Sequence, residues 1–243
     1  MRNYDRPGSA PEVLGVGHND RGTGATTVVP SRLRSQRRAP LRPCTYPARP
    51  VNGGPLDRAL PKSGPWHYEP KYNGWRALAH APSGTMFNRH GQRLSIQKEF
   101  GSALAMLRHV HLNNGAEAVE WFDCEALERR HAIGQGTLLV FDYISPAREA
   151  YLGRKQSLAH ALVVHDYRVK PRSDAAYSVG AVDPEELDAL EFYHRLKQLN
   201  GQWHCPFYEG LVAKRTDSLY PVQLRSATFE FTGWMKHRWP GQR

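Results

Sequence analysis

Long hydrophobic runs are missing from this chain of 243 residues. No stretch approaches the roughly 18 consecutive apolar residues that a membrane-crossing helix needs, and a mean hydropathy of −0.62 agrees, so no membrane association is expected. Cysteine is scarce: Cys44, Cys124 and Cys205 are too few for a disulfide framework and lack paired C-x-x-C spacing, which fits a reducing, cytoplasmic setting. The opening residues Met1 to Pro7 carry no apolar stretch of the secretory kind, so no export is expected. The H-E-x-x-H, G-x-x-x-x-G-K-[ST] and G-x-S-x-G patterns are also absent, which removes the main support for zinc proteases, P-loop enzymes and serine hydrolases.

Acidic residues are the minority charge, 23 against 33 Lys and Arg, for a formal net charge of +10. A field of that sign attracts polyanions before contact, and nucleic acid is the first candidate partner. Arginine makes up most of the excess, as a GC-rich genome alone would produce, so charge by itself does not settle the partner.

Residues 1 to 55 differ from the rest. They are rich in Gly, Pro, Ser, Thr and Arg with only short apolar patches, and are expected to form a disordered basic arm. Residues 56 to 243 alternate short β-like runs with amphipathic stretches, which predicts one α+β domain. Trp66 to Glu69 reads as a strand, Pro70 to Gly74 as a turn, and Trp75 to His80 and Thr85 to Arg89 as further strands of a meander. Phe100, Leu104 and Leu107 recur at helical spacing within Gln97 to His109. Thr137 to Ile144 is apolar enough for a buried central strand. Asp183 as N-cap and Pro184 at the first position predict a helix running to Leu199.

Several clusters carry chemistry. In Glu69-Pro70-Lys71-Tyr72-Asn73-Gly74-Trp75-Arg76, a lysine precedes a glycine bend that would project its amine into a pocket; neighbouring Arg76 and Lys236 would disfavour its charged form. Asp123 and Glu125, two residues apart on a strand, share one face and need a cation between them. Glu209 opens an apolar strand that ends at Lys214 and Arg215. Lys236 and Arg238 share a strand face, a geometry suited to phosphate oxygens. Each cluster taken alone also suits an ordinary salt-bridged strand end.

In order along the chain, these clusters resemble the motif series of the covalent nucleotidyltransferases, most closely the ATP-dependent DNA ligases. Lys71 to Arg76 resembles K-x-D-G-x-R, and Phe87-Asn88-Arg89-His90-Gly91 the motif that follows it. Asp123-Cys124-Glu125 resembles D-G-E, and Val140 to Ile144 the aromatic strand that stacks on adenine. Glu209 to Lys214 is similar to E-G-x-V-x-K, and Trp234 to Arg238 to the closing W-x-K-x-K/R. The resemblance implies an ATP-grasp-like nucleotidyltransferase (adenylation) domain of antiparallel β-sheets flanked by helices, with the nucleotide between the layers.

It further implies that Lys71 is the nucleophile that becomes adenylated and that Lys236 and Arg238 neutralise phosphate charge. Glu69 would read adenine, Phe141 would stack on it, and Lys214 would belong to the nucleotide site. Arg76 and Arg89 would face ribose and nucleic-acid phosphate. Glu125 would lie near the ribose, and Glu125 and Glu209 near Mg2+ or Mn2+. The expected function is ATP-dependent polynucleotide ligation, with nicked duplex DNA as substrate; RNA joining, or nucleic-acid binding with reduced catalysis, is the alternative. Two departures stand out. Asn73 replaces the motif's aspartate, as in some RNA-ligating relatives. The sequence ends shortly after Arg238, so no C-terminal OB-fold is expected and the nucleic acid would be held by the basic arm or by a separate clamp protein.

Overall fold

Alternating and continuous apolar runs fold into strands that belong to two separate sheets. The computed structural model describes residues 46–47, 49–54, 64–112, 117–128, 132–144, 148–223 and 230–239. Its strands begin with β1 (Tyr46–Pro47), β2 (Arg49–Asn52), β3 (Trp66–Tyr72), β4 (Trp75–His80) and β5 (Thr85–Phe87). After a 3-10 turn at Ser95–Phe100 and helix α1 (Gly101–Leu107) come β6 (His111–Leu112), β7 (Glu117–Ala118), β8 (Trp121–Leu127) and β9 (Thr137–Tyr143). Helix α2 (Tyr151–Ala161) precedes β10 (Val164–His165) and β11 (Ala176–Val179), and helix α3 (Ala189–Trp203) precedes β12 (Tyr208–Arg215), β13 (Val222–Gln223) and β14 (Glu230–Arg238). Among the described residues no helix is long and apolar enough to cross a membrane.

A six-stranded sheet has the order β10-β11-β9-β8-β4-β5, and a four-stranded sheet the order β2-β14-β12-β3. Antiparallel pairs dominate both; the parallel pairs are β10 with β11, β11 with β9, and β14 with β2. Two sheets flanked by helices meet the α+β expectation. Thr137 to Tyr143 is an interior strand, as its apolar run predicts.

The meander does not hold at its first bend. β3 pairs with β12 and β4 with β8 and β5, so β3 and β4, neighbours in sequence, lie in different sheets. The bend is tied outward rather than closing a hairpin: the Asn73 amide donates to the Phe207 carbonyl, and the Gly74 amide to Glu125 Oε1 at 2.9 Å. The strand also continues through Pro70, opposite Leu211. β3 is an edge strand, where proline's missing N–H costs no ladder bond if it faces outward.

The helices also depart from expectation. The first begins at Ser95 as a 3-10 turn and ends at Leu107, burying Phe100, Ala103, Leu104 and Leu107. The last starts at Ala189 because Asp188, directly before the apolar period, accepts the Leu190 and Glu191 amides; Asp183 instead closes a local turn onto the Glu185 amide. Residues 49–52, assigned from sequence to the basic arm, form β2 alongside β14; the expectation for residues 1–45 lies outside the described residues.

The six-stranded sheet separates two cores. On one face Leu138, Val140, Ala77 and Cys124 pack with Phe100 of the 3-10 turn, Leu104 and Leu107 of α1 and Leu158 of α2. On the other, Leu127 and Leu139 join Tyr68, Tyr72 and Leu211 of the four-stranded sheet and Phe192, Leu196 and Leu199 of α3. Burying a side chain such as Phe192 contributes about 1.5–3 kcal/mol. These two cores hold the sheets in place around a cleft that the apolar residues leave open.

Candidate active site

The register of the four-stranded sheet assembles the site. Lys71 on β3 lies beside Gly210 on β12, which lies beside Arg238 on β14; Glu69, Val212 and Lys236 form the next row, and His67, Lys214 and Trp234 the third. Side chains two apart on a strand, and opposite one another across strands, share a face. A register shift between Tyr208 and Gly210 leaves Glu209 bulged, and its side chain reaches Lys71. Gly210 has a φ of +142°, and a Cβ there would stand 1.8 Å from the His237 carbonyl oxygen, so this turn of the chain requires glycine.

Arg76, Glu125 and Phe141 of the six-stranded sheet close the cleft, with Asn88, Arg89 and His90 from the segment after β5. The cavity is about 410 Å³. The ten residues given a role in the site from the motif resemblance all line it: Lys71, Lys236, Arg238, Glu69, Arg76, Arg89, Glu125, Phe141, Lys214 and Glu209; Asn73, Asp123 and Arg215 do not.

Lys71 Nζ donates to Glu209 Oε2 at 2.5 Å, and Arg238 reaches the same oxygen at 3.1 Å. Glu125 sits opposite Arg76 across β4 and β8. Burial pushes the Glu125 carboxyl up to about 7 against the pull of Lys71, with the charge of Glu209 adding to the rise. Gly74 has no side chain where a Cβ would come within 2.8 Å of Glu125, so its amide can approach that carboxyl. Arg76 grips buried Asp123 through two bonds, Nε to Oδ1 at 3.0 Å and NH2 to Oδ2 at 2.6 Å, and is the cation that the same-face pair Asp123 and Glu125 needs. The arginine lines the cavity with its fork committed to Asp123.

Glu69 forms part of the wall rather than offering a bare carboxylate. Its Oε1 accepts from the Tyr151 hydroxyl at 2.8 Å and meets Lys155 at 2.9 Å, while Oε2 meets Lys214 at 2.6 Å. Burial pushes this carboxyl up, but the two ammonium groups outweigh it and hold it below its ordinary value. Lys214 also stands 4.9 Å from the centre of the Phe141 ring and 4.7 Å from that of Trp234, within cation–π range. Lys236 forms no ion pair among the described residues; burial and nearby Arg238 push its pKa down.

Asn73 has its own local reason. Its Nδ2 donates to the Pro206 carbonyl at 2.9 Å, a bond an aspartate cannot make because a carboxylate only accepts. Sequence reasoning missed Arg49 in the lining and gave Trp234 and His90, though inside quoted motifs, no role of their own; it also missed Tyr151 and Lys155 behind the wall. Tyr151, Arg154, Lys155 and Leu158 make a helical stripe, but two of its four members are charged, so no apolar period announced it. Among the described residues no group of three or more His, Cys, Asp or Glu is placed to hold a metal.

No family model matches the chain, and no curated protein does. Among solved structures it is similar to mycobacterial DNA ligase D complexed with ATP and MES, with a TM-score of 0.50 and 17% identity over 80% of this chain and 60% of that one. It is also similar to Pmar-Lig_Pre, with a TM-score of 0.51 and 15% identity over 80% of this chain and 46% of that one. The chain has a DNA ligase fold. It spans between about half and three fifths of the length of these two proteins. Within this ligase fold the cleft between the two sheets gathers the residues that the motif resemblance selects.

Proposed function

We propose that the chain is an ATP-dependent polynucleotide ligase acting on nicked duplex DNA through a lysyl-adenylate on Lys71. The observation that carries this reading is the convergence on one cleft of Lys71, the carboxylates Glu125 and Glu209, and the cations Lys236 and Arg238, from strands far apart in sequence. Lys71 gives up its ammonium proton, for which Glu209 at 2.5 Å is the adjacent acceptor, and the neutral amine attacks the α-phosphorus of ATP. The Nζ–phosphorus bond forms, the bond to the bridging oxygen breaks, and pyrophosphate leaves with the electron pair. Lys236 and Arg238 meet the charge on the phosphate oxygens, and such fixed, pre-positioned charges do most of the catalytic work in phosphoryl transfer. Phe141 offers a stacking face for adenine.

Two carboxylates beside space for substrate phosphates form a donor set that suits Mg2+ or Mn2+, and Glu125 and Glu209 would hold such an ion. When bound it would supply positive charge to the phosphates. AMP then passes from Lys71 to a 5′-phosphate, and a 3′-hydroxyl displaces it to seal the strand. The bond from Asn73 to Pro206 gives the Asn a local structural role.

The test is incubation with α-labelled ATP and Mg2+ followed by denaturation. Label on wild type that disappears in Lys71→Ala is expected; no label on wild type, or label that survives the substitution, leaves a nucleic-acid-binding protein without this chemistry. Offering the labelled protein nicked DNA and nicked RNA duplexes then identifies the strand that is sealed.

A further inference from the structure

Arg49 lies outside every motif that selected the site, yet it lines the cavity. It stands on β2, the edge of the four-stranded sheet opposite β3, which carries Lys71. With strands about 4.8 Å apart, these edges are separated by about 14 Å; β14, with Lys236 and Arg238, is the strand next to β2. The buried Nε of Arg49 has no hydrogen-bond partner, and Arg49 makes no ion pair among the described residues. Besides burial, Arg89 on the other wall feels the repulsion of Arg49, Arg76 and Arg238, and Lys236 that of Arg238, Lys71 and Arg49, offset in part by Glu230. Cations thus outnumber acids at this end of the cleft, where Glu209 pairs with Arg238 and Glu230 acts on Lys236, and a polyanion relieves the repulsion that remains. An in-line displacement sends the leaving group away from the nucleophile, and Arg49 stands on the sheet edge farthest from Lys71.

We propose that Arg49, with Arg89, Lys236 and Arg238, forms the polyphosphate end of the cleft and holds the pyrophosphate expelled when Lys71 is adenylated. This rests on the adenylation reading. A guanidinium fork suits two phosphate oxygens at once, which a lysine does not reproduce.

Arg49→Ala and Arg49→Lys are compared with wild type, after matched melting temperatures show all three to be folded. Three quantities are read: ATP dependence of self-adenylation, reversal of the lysyl-adenylate by added pyrophosphate, and calorimetric binding of pyrophosphate to unmodified protein. Losing one charged bidentate contact is expected to weaken pyrophosphate in reversal and binding by about tenfold or more, with Arg49→Lys falling between. Equal pyrophosphate dependence in wild type and Arg49→Ala overturns the proposal. A defect confined to AMP transfer onto a nicked duplex also overturns it, and assigns Arg49 to the nucleic-acid 5′-phosphate instead. If wild type takes no label, the adenylation reading fails, while calorimetry still decides whether Arg49 builds a pyrophosphate site. Should Arg49→Ala fail to fold, Arg49→Lys carries the test: wild-type pyrophosphate affinity in that variant overturns the proposal.

Discussion

Two ion pairs in this molecule use similar chemistry for opposite ends. Arg154 on α2 binds Asp142 on β9 through Nε at 2.7 Å and NH2 at 3.0 Å, and its NH1 donates to the Glu149 and Ser218 carbonyls; both side chains are almost wholly buried. Lys71 and Glu209 also pair closely, but at the wall of an open cavity, with Arg238 sharing the same oxygen. The first pair is closed, with its donors satisfied by protein, and works as scaffold. The second has room for a ligand to change its partners. Asp142 and Asp123 lie directly opposite across β8 and β9, an arrangement that repels unless each has its own cation; Arg154 and Arg76 supply them, and the Tyr220 hydroxyl donates to Asp123 at 2.6 Å.

The contrast can be broken from either side. Arg154→Ala leaves Asp142 as an unpaired buried charge and is expected to cost about 3–5 kcal/mol, read by denaturant unfolding; a loss below about 1 kcal/mol ends the claim that this pair is scaffold. Glu125 comes next. Its carboxyl rises from 4.5 to about 7 on folding, so between those values the native state keeps a proton that the unfolded chain releases, and stability falls as pH increases through that window. Glu125→Gln is expected to flatten that fall in pH-dependent melting, while a wild-type slope in the variant assigns it elsewhere.

Asn73→Asp replaces a donor with an acceptor facing the Pro206 carbonyl and is expected to cost about 1–2 kcal/mol and to slow self-adenylation. A stable, equally fast variant removes the local role given to Asn73. The smallest effect on stability is expected at the open pair. Lys71→Ala leaves Glu209 with Arg238, so its unfolding free energy is expected within about 1 kcal/mol of wild type while labelling is abolished. A large destabilisation there would make the open pair scaffold as well.

Legibility followed the kind of signal. Thr137 to Tyr143 and the stripe through Phe100, Leu104 and Leu107 were readable because apolar periodicity reports burial directly. Helix α2 was not, since its buried face carries Arg154 and Lys155, whose partners Asp142 and Glu69 come from other elements. The start of α3 was misplaced because Asp183 and Asp188 are both plausible caps, and only the backbone decides which of them meets the first helical amides. The break between β3 and β4 was hidden for a similar reason, as the amide partners of Asn73 and Gly74 are Phe207 and Glu125.

The sequence by itself determined which side chains are candidates for the site: residue types and motif order selected ten, and all ten line one cavity. Tertiary structure decided how they are held, namely that Lys71 faces Glu209, that the fork of Arg76 belongs to Asp123, that Glu69 is clasped by Lys155 and Lys214, and that Arg49 joins the cleft from β2. The physical reason is range. A motif records spacing along one strand, whereas a charge is paired, buried or left open by strands that only sheet register brings beside it.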